Sequence, residues 1–244
     1  MGSFLNVCID RLPRDQSLLG PPSHCPACGK RLGVFDLIPV VSYLLLRGRC
    51  RGCGAAIGRR TLIVELVTGF MFFTIAWYYG FGGQFLLLAY YASLFLMVTV
   101  IDLEHRLILN KVVYPALPVS FVLSFFVLPE PHFPSADAAS ALFGCVAALG
   151  LLALPNLFYQ EGMGWGDVKL AGLIGMATGM PVVLVALMVS IVSGGLIAIG
   201  FLLLGGKGRK GTIPFGPFLT LGAMVALLWG EGLIDWYRGL LGLG

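Results

Sequence analysis

Charged side chains are scarce in this chain. Asp, Glu, Lys and Arg make up 11% of its 244 residues, and hydrophobic residues make up 58%. A soluble domain carries roughly 25% charged residues, so the composition excludes a soluble domain. In lipid, backbone polar groups must be satisfied within the spanning segment itself, which a helix achieves. We therefore predict an all-α, polytopic membrane helix bundle.

The stretches without charge are long enough to cross a bilayer, which takes about 20 residues. We predict seven spans, at 61–80, 84–101, 112–128, 138–158, 168–180, 181–204 and 213–236. The fifth and sixth are separated at Thr178–Pro181, where glycine and proline favour a break. Segment 1–10 is too short to cross and lacks the basic region and cleavage site of a signal peptide. We interpret it as the remnant of a first transmembrane helix.

Lys and Arg are absent from the loops around 81–83, 129–137 and 179–181. If every span crosses, 15 of the 16 basic residues fall on one face of the membrane, and Arg238 alone falls on the other. An excess of Lys and Arg marks cytoplasmic loops. We therefore place on the cytoplasmic side the loop 11–60, which holds nine of them, and the loop with Lys207, Arg209 and Lys210.

Two acidic residues stand at the ends of predicted spans. Asp102 follows 84–101, and Asp167 precedes 168–180 behind the glycine-rich run Gly162–Gly166. An ionisable residue at such a position is a functional hypothesis by default. The basic loops place both acids at the cytoplasmic edge of the membrane. Two carboxylates at one depth are the minimum equipment for activating a water against a peptide bond.

Each acid alone also has a plain explanation. Asp167 could cap a helix by accepting from the N–H of Lys169 or Leu170. Asp102 could be a solvated residue at the membrane surface beside Glu104. The glycine run does not fit a nucleotide loop, because no Gly-Lys-Ser/Thr follows it, and nucleic acid is not an expected partner.

A third acid, Glu65, lies near the start of the first full span and faces away from water. An acid in that position needs a partner. Arg59 and Arg60 are the nearest candidates in sequence.

The loop 11–60 contains two Cys-x-x-Cys pairs with 21 residues between them, Cys25/Cys28 and Cys50/Cys53. This spacing predicts a tetrahedral, structural zinc site of four thiolates. A loop of this size needs such a staple to fold. Two disulfides are the alternative, which a reducing cytoplasm disfavours. Cys8 and Cys145 lie in apolar surroundings, and we predict that both are buried structural residues.

Several segments, taken in chain order, resemble the type IV prepilin peptidases, which are GxGD aspartic membrane proteases. The segments are Gly2–Pro13, the two cysteine pairs, Glu65–Leu66, Asp102, Gly164–Leu170 and Ile213–Phe218. The family normally has a full transmembrane helix before the first of these segments. It usually has Pro where Leu109 stands and Gly-Lys where Gly48-Arg49 stands.

The resemblance implies cleavage of the leaders of prepilins or pseudopilins of type IV pilus and type II secretion systems. The cut would fall after a Gly at the cytoplasmic face of the bacterial inner membrane. S-adenosylmethionine would then donate a methyl group to the new N-terminus. Asp102 and Asp167 would be catalytic. The residues implied in substrate approach are Gly164, Gly166, Lys169, Gly216 and Pro217, and those implied in methyl transfer are Gly48, Arg49 and Glu65.

These expectations divide the chain into three parts: the remnant 1–10, a zinc-binding cytoplasmic loop domain at 11–60, and a transmembrane aspartic peptidase domain at 61–244. The alternative from another class is a non-catalytic transporter or channel component. In that protein the two acids would line an ion path, and the zinc loop would dock a cytoplasmic partner.

Overall fold

A computed structural model of the chain describes residues 1–125, 137–158, 163–203 and 214–242. Within these ranges the regular structure is helical, without a β-strand. The α-helices are α1 (Gly2–Arg11), α2 (Val41–Leu45), α3 (Arg59–Tyr79), α4 (Gly83–His105), α5 (Asn110–Leu123), α6 (Ala138–Phe158), α7 (Trp165–Thr178), α8 (Val182–Leu203) and α9 (Gly216–Leu240). Lys207, Arg209, Lys210, Gly162 and Ile213 lie outside the described residues.

Five of these helices are long and apolar enough to cross a membrane: α3, α4, α6, α8 and α9. Each coincides with a predicted span. The predicted spans 112–128 and 168–180 correspond to α5 and α7, which have 14 residues each. At 1.5 Å per residue such a helix is about 21 Å long, shorter than a hydrocarbon core of roughly 30 Å.

The chain forms two compact units, Met1–Met97 and Val98–Gly244. In the first unit, α1 packs closely on α3. A Cβ atom added at Gly2 would lie 2.9 Å from the Cα of Glu65, so a larger residue there would separate the two helices. A salt bridge of 2.7 Å between Arg60 and Asp10 joins the same helices. Segment 1–10 is therefore helical and anchored on α3.

In the second unit, α7 is the most enclosed helix. Val168 and every residue from Leu170 to Thr178 are buried. A helix that is apolar all round belongs in the interior. Glycine allows close packing, because a Cβ at Gly144 of α6 would lie 2.5 Å from the carbonyl oxygen of Gly175 of α7. Small residues at such crossings are typical of membrane helices. Asp167 therefore leads directly into the best-packed segment of this unit.

The predicted break between the fifth and sixth spans lies where α7 ends and α8 begins. Gly179 follows α7 with a φ of 67°, and its N–H donates to the carbonyl of Gly175. Such a positive φ suits glycine. Ser140 of α6 binds the turn twice, by accepting from the Met180 N–H at 2.9 Å and donating to its carbonyl at 2.8 Å.

Candidate active site and metal centre

Asp102 lies in the last turns of α4 and is only 5% exposed. Its Oδ2 accepts a 3.0 Å hydrogen bond from the N–H of Gly216, the first residue of α9. The first N–H groups of a helix have no partner within it, and they favour an anion. The solvated-surface interpretation of Asp102 is therefore wrong, because the carboxylate is enclosed and bound to a second helix.

Asp167 is the third residue of α7, whose N-cap is Gly164 with no side-chain cap hydrogen bond. The helix-capping interpretation of Asp167 is therefore wrong. A Cβ at Gly164 would lie 3.0 Å from Oδ2 of Asp167, and a Cβ at Gly166 would lie 3.0 Å from the Cβ of Ile108. A larger residue would therefore crowd the carboxylate of Asp167 at Gly164 and the side chain of Ile108 at Gly166.

The two acids act on each other electrostatically, since the charge of Asp102 bears on the carboxylate of Asp167. Both lie in the unit Val98–Gly244, on α4 and α7. Two carboxylates that interact this way do not both ionise comfortably. The pair is therefore equipped to act as one acid and one base.

Lys169 does not pair with Asp167. Its Nζ donates a 3.1 Å hydrogen bond to Oδ1 of Asn110 and lies 5.2 Å from the centre of the Tyr114 ring. Both partners belong to α5, one turn apart. Neither Asn110 nor Tyr114 was predicted as part of the site, and an Asn at a helix start with a Tyr four residues later was the available sequence signal. The cation is thus held on α5 beside the α7 start.

A pair of hydroxyls supports the junction between α4 and α9. The side-chain oxygens of Thr99 and Thr220 lie 2.6 Å apart, one turn from Asp102 and Gly216 respectively. Two polar residues inside apolar spans were the only sequence signal for this contact. The hydrogen bond fixes the register of the two helices that bring Asp102 to its N–H donor.

We expect Gly216→Ala to reduce activity at the acid pair about 100-fold, because a Cβ at Gly216 would lie 2.5 Å from Oδ2 of Asp102 and small displacements of reacting groups can cost that much. The measurement is the rate of substrate cleavage by purified protein. Gly232→Ala on the same helix is the matched control, since nothing lies within 4 Å of its added Cβ. Equal rates for the two variants would contradict this role of Gly216.

The four predicted metal ligands come together. The Sγ atoms of Cys25, Cys28, Cys50 and Cys53 all lie within 4.8 Å of one another. The Sγ atoms of Cys25 and Cys53 are 3.8 Å apart. A tetrahedral site with Zn–S bonds of about 2.3 Å has sulfur atoms about 3.8 Å apart. The cysteines are free rather than paired as disulfides, so the donor set fits a metal ion.

Each Cys-x-x-Cys pair forms a tight turn, called a knuckle here: the first knuckle is Cys25–Cys28 and the second is Cys50–Cys53. The two knuckles have the same backbone conformation. Gly29 and Gly54 follow the cysteine pairs with φ of 69° and 72°, and their N–H groups donate to the carbonyls of Cys25 and Cys50. The N–H groups of Cys53 and Gly52 lower the pKa of the Cys50 thiol to about 6. A thiolate, the form that binds metal, is therefore favoured at this position.

The remaining cysteines lie apart from the cluster. Cys8 and Cys145 are both buried and free. The prediction that both are buried residues is confirmed.

Gly48 and Arg49 precede the second knuckle. Gly48 has a φ of 67°, and an added Cβ would lie 2.9 Å from the hydroxyl oxygen of Tyr43. Backbone conformation and the Tyr43 ring therefore both require glycine there. Arg49 is exposed, and its backbone pairs with Ala56 in an isolated bridge.

The expected partners of Glu65 were wrong. Arg60 pairs with Asp10, and Oε2 of Glu65 instead accepts a 2.8 Å hydrogen bond from the N–H of Val40. Val40 has φ 61° and ψ −50°, and the N–H of Val41 donates to the carbonyl of Pro39 at 2.6 Å. This is a γ-turn of the strained kind. Glu65 thus ties α3 to the loop between the two cysteine knuckles.

The fold and these sites define a helical membrane protein with a pair of acids, one buried and one half-buried, and a four-cysteine cluster. Residues 1–79 match the bacterial peptidase A24 N-terminal domain, and residues 88–199 match the type IV leader peptidase family. The chain belongs to the type IV leader peptidase family.

Similar curated proteins are named prepilin leader peptidase/N-methyltransferase. One from Pseudomonas aeruginosa is 34% identical over 99% of this chain and 91% of its own length. One from Stutzerimonas stutzeri is 34% identical over 97% of this chain and 90% of its own length. One from Bacillus subtilis is 29% identical over 97% of this chain and 93% of its own length. No solved structure matches the chain.

Proposed function

We propose that the chain cleaves the leaders of prepilins or pseudopilins and methylates the new N-terminus. The observation that carries the cleavage activity is the acid pair, with Asp102 enclosed and bound to Gly216 while its charge acts on Asp167. The family and the names of the similar proteins support both activities. They also disfavour the transporter alternative, for which the acid pair would have to line an ion path.

The two acids would divide the work of hydrolysis. Asp102 would be the ionised partner, because the Gly216 N–H at the start of α9 stabilises its negative charge. It would take a proton from the attacking water. Asp167 would carry the shared proton, polarise the scissile carbonyl, and then protonate the leaving amine. No covalent intermediate is required.

The substrate would approach along the start of α7. Gly164 and Gly166 leave no side chain beside Asp167, so an extended peptide backbone could come close to the acid. Lys169, held by Asn110 and Tyr114, presents a positive charge beside this approach. Gly216 and Pro217 begin α9 next to Asp102. We assign these five residues to substrate approach, with a cut just after a Gly of the substrate.

The chain would lie in the bacterial inner membrane with the acids at its cytoplasmic face. The distribution of Lys and Arg supports this orientation. It requires all seven helices from α3 to α9 to cross, including the two of 14 residues. A short helix enclosed by its neighbours, as α7 is, can cross without matching the bilayer thickness.

The cysteine cluster would hold one structural zinc ion, through Cys25, Cys28, Cys50 and Cys53. Four thiolates fill a tetrahedral site, so the ion would fold the loop rather than react. Methyl transfer from S-adenosylmethionine would occur on the first unit, where this loop meets α3. We assign Gly48, Arg49 and Glu65 to that activity, with Gly48 shaping the loop and Arg49 offering an exposed charge.

The test is direct incubation of the detergent-solubilised chain with a purified prepilin. We expect a shortened product whose new N-terminus carries one methyl group when S-adenosylmethionine is supplied, as read by mass spectrometry. An unmodified and uncut substrate would refute the proposed function. A cut product without the methyl group would refute the second activity alone.

A further inference from the structure

Glu65 is an enclosed carboxylate that forms no ion pair with the residues that the structure describes. It is 9% exposed and lies on α3, one of the helices long enough to span a membrane. Among the described residues, its hydrogen bond comes from the neutral N–H of Val40, through Oε2. One N–H group is little compensation for an enclosed negative charge, and such a residue in a membrane helix marks a functional site. The other carboxylate oxygen is left for a further donor.

Asn6 offers a second acceptor at the same crossing of α1 and α3. It is 6% exposed. Its amide nitrogen donates to the carbonyls of Gly2 at 3.3 Å and Thr61 at 3.2 Å. These two bonds fix the orientation of the amide, because the opposite orientation would set its oxygen against two carbonyl oxygens. Its Oδ1 is buried and has no hydrogen-bond partner among the described residues.

The residues that carry the two acceptors lie at the same crossing of α1 and α3. Thr61, which binds Asn6, is one turn before Glu65 on α3. Gly2, the other residue bound by Asn6, packs directly against the backbone of Glu65. A carboxylate oxygen and an amide oxygen accept hydrogen bonds and donate none. The missing ligand is therefore a group with several N–H donors and a positive charge.

We propose that Asn6 and Glu65 hold the new α-amino group of the cleaved substrate for methylation. This inference rests on the proposed function and assigns its methyl-acceptor site. An α-ammonium carries three N–H donors and a positive charge, which match two oxygens that only accept. Glu65 lies two turns into an apolar helix, where the N-terminus of a hydrophobic substrate helix would arrive.

The chemistry needs a neutral amine, and an α-ammonium has a pKa of about 8. The carboxylate of Glu65 would take one N–H proton and free the nitrogen lone pair. The amine then attacks the methyl carbon of the sulfonium donor. The N–C bond forms as the C–S bond breaks, and the bonding pair returns to sulfur. The product is a methylated ammonium, a neutral thioether and a protonated Glu65.

Glu65→Gln removes the negative charge and keeps the contact with the loop, because the Gln oxygen can still accept the hydrogen bond from the N–H of Val40. With a synthetic, already cleaved peptide as acceptor, we expect methylation to fall about 100-fold, the usual loss of a general base. Asn6→Leu should raise the KM for the peptide about tenfold, the loss of one hydrogen bond to a charged group. Leader cleavage by both variants should stay within about twofold of the unaltered chain.

Thr68→Val is the matched control, since Thr68 is buried one turn further along α3 and its hydroxyl bonds only within that helix, to the Val64 carbonyl at 2.6 Å. It should methylate normally. Normal methylation by Glu65→Gln would overturn the proposal. So would a raised KM for S-adenosylmethionine with an unchanged KM for the peptide, since the site would then belong to the donor. An unaltered chain that cleaves but never methylates would instead refute the methylation activity in the proposed function.

Discussion

Replacing either Asp102 or Asp167 with Asn should abolish leader cleavage and leave the chain folded. Asn has the shape of Asp, and its oxygen can still accept the N–H of Gly216, so packing around the site is kept. It cannot exchange a proton with water or with the leaving amine. We expect each single variant to lose at least about 100-fold in cleavage rate. The double variant should be no slower than either single, because the two carboxylates act as a unit.

The measurement is the initial rate of prepilin shortening by purified variants at matched concentration. Glu104→Gln is the control, since Glu104 is an exposed carboxylate two residues after Asp102, and it should keep activity within about twofold. Cleavage above roughly a hundredth of the original rate in Asp102→Asn or Asp167→Asn would disprove the assignment of the acid pair.

Changing Cys25 and Cys53 to Ser together should remove bound zinc, from one ion per chain to nearly none. Each knuckle then loses one thiolate, and the loop between 11 and 60 loses the bond energy that folds it. Methylation should fall far more than cleavage, because the loop and the Glu65 contact lie in the first unit and both acids lie in the second. Elemental analysis measures the metal, and mass spectrometry of the product measures both activities.

Cys8→Ser combined with Cys145→Ser is the matched double control, since these two cysteines are buried and lie outside the four-sulfur cluster. Its zinc content should equal that of the unaltered chain. Unchanged zinc in Cys25→Ser/Cys53→Ser would show that the ligands are wrong. Equal losses of cleavage and methylation would show instead that the loop braces the whole enzyme.

The acids and the cysteines could be found from sequence because each breaks a local pattern. An acid at the end of an apolar span is unusual in lipid, and paired Cys-x-x-Cys spacing has few other uses. The break at Thr178–Pro181 carried its own glycine and proline. These features need only local information, so one sequence was enough to predict them.

The partners of those residues were not predictable, because several are backbone groups. The N–H of Val40 that binds Glu65, and the N–H of Gly216 that binds Asp102, belong to any residue that occupies the position. The arginines nearest in sequence were the predicted partners of Glu65, but Arg60 forms a salt bridge with Asp10. The short lengths of α5 and α7 were also hidden, because apolar composition continues past their ends.

The enclosure of α7 has a consequence for the order in which the chain becomes active during synthesis. With 14 residues and almost every side chain covered by other helices, α7 is stable in lipid only once its neighbours are beside it. The N–H donor of Asp102 is on α9, which follows both acids in the chain. Asp102 therefore gains this hydrogen bond only after α9 has been synthesised, and until then the nascent chain passes through the insertion machinery with its proposed catalytic pair incomplete.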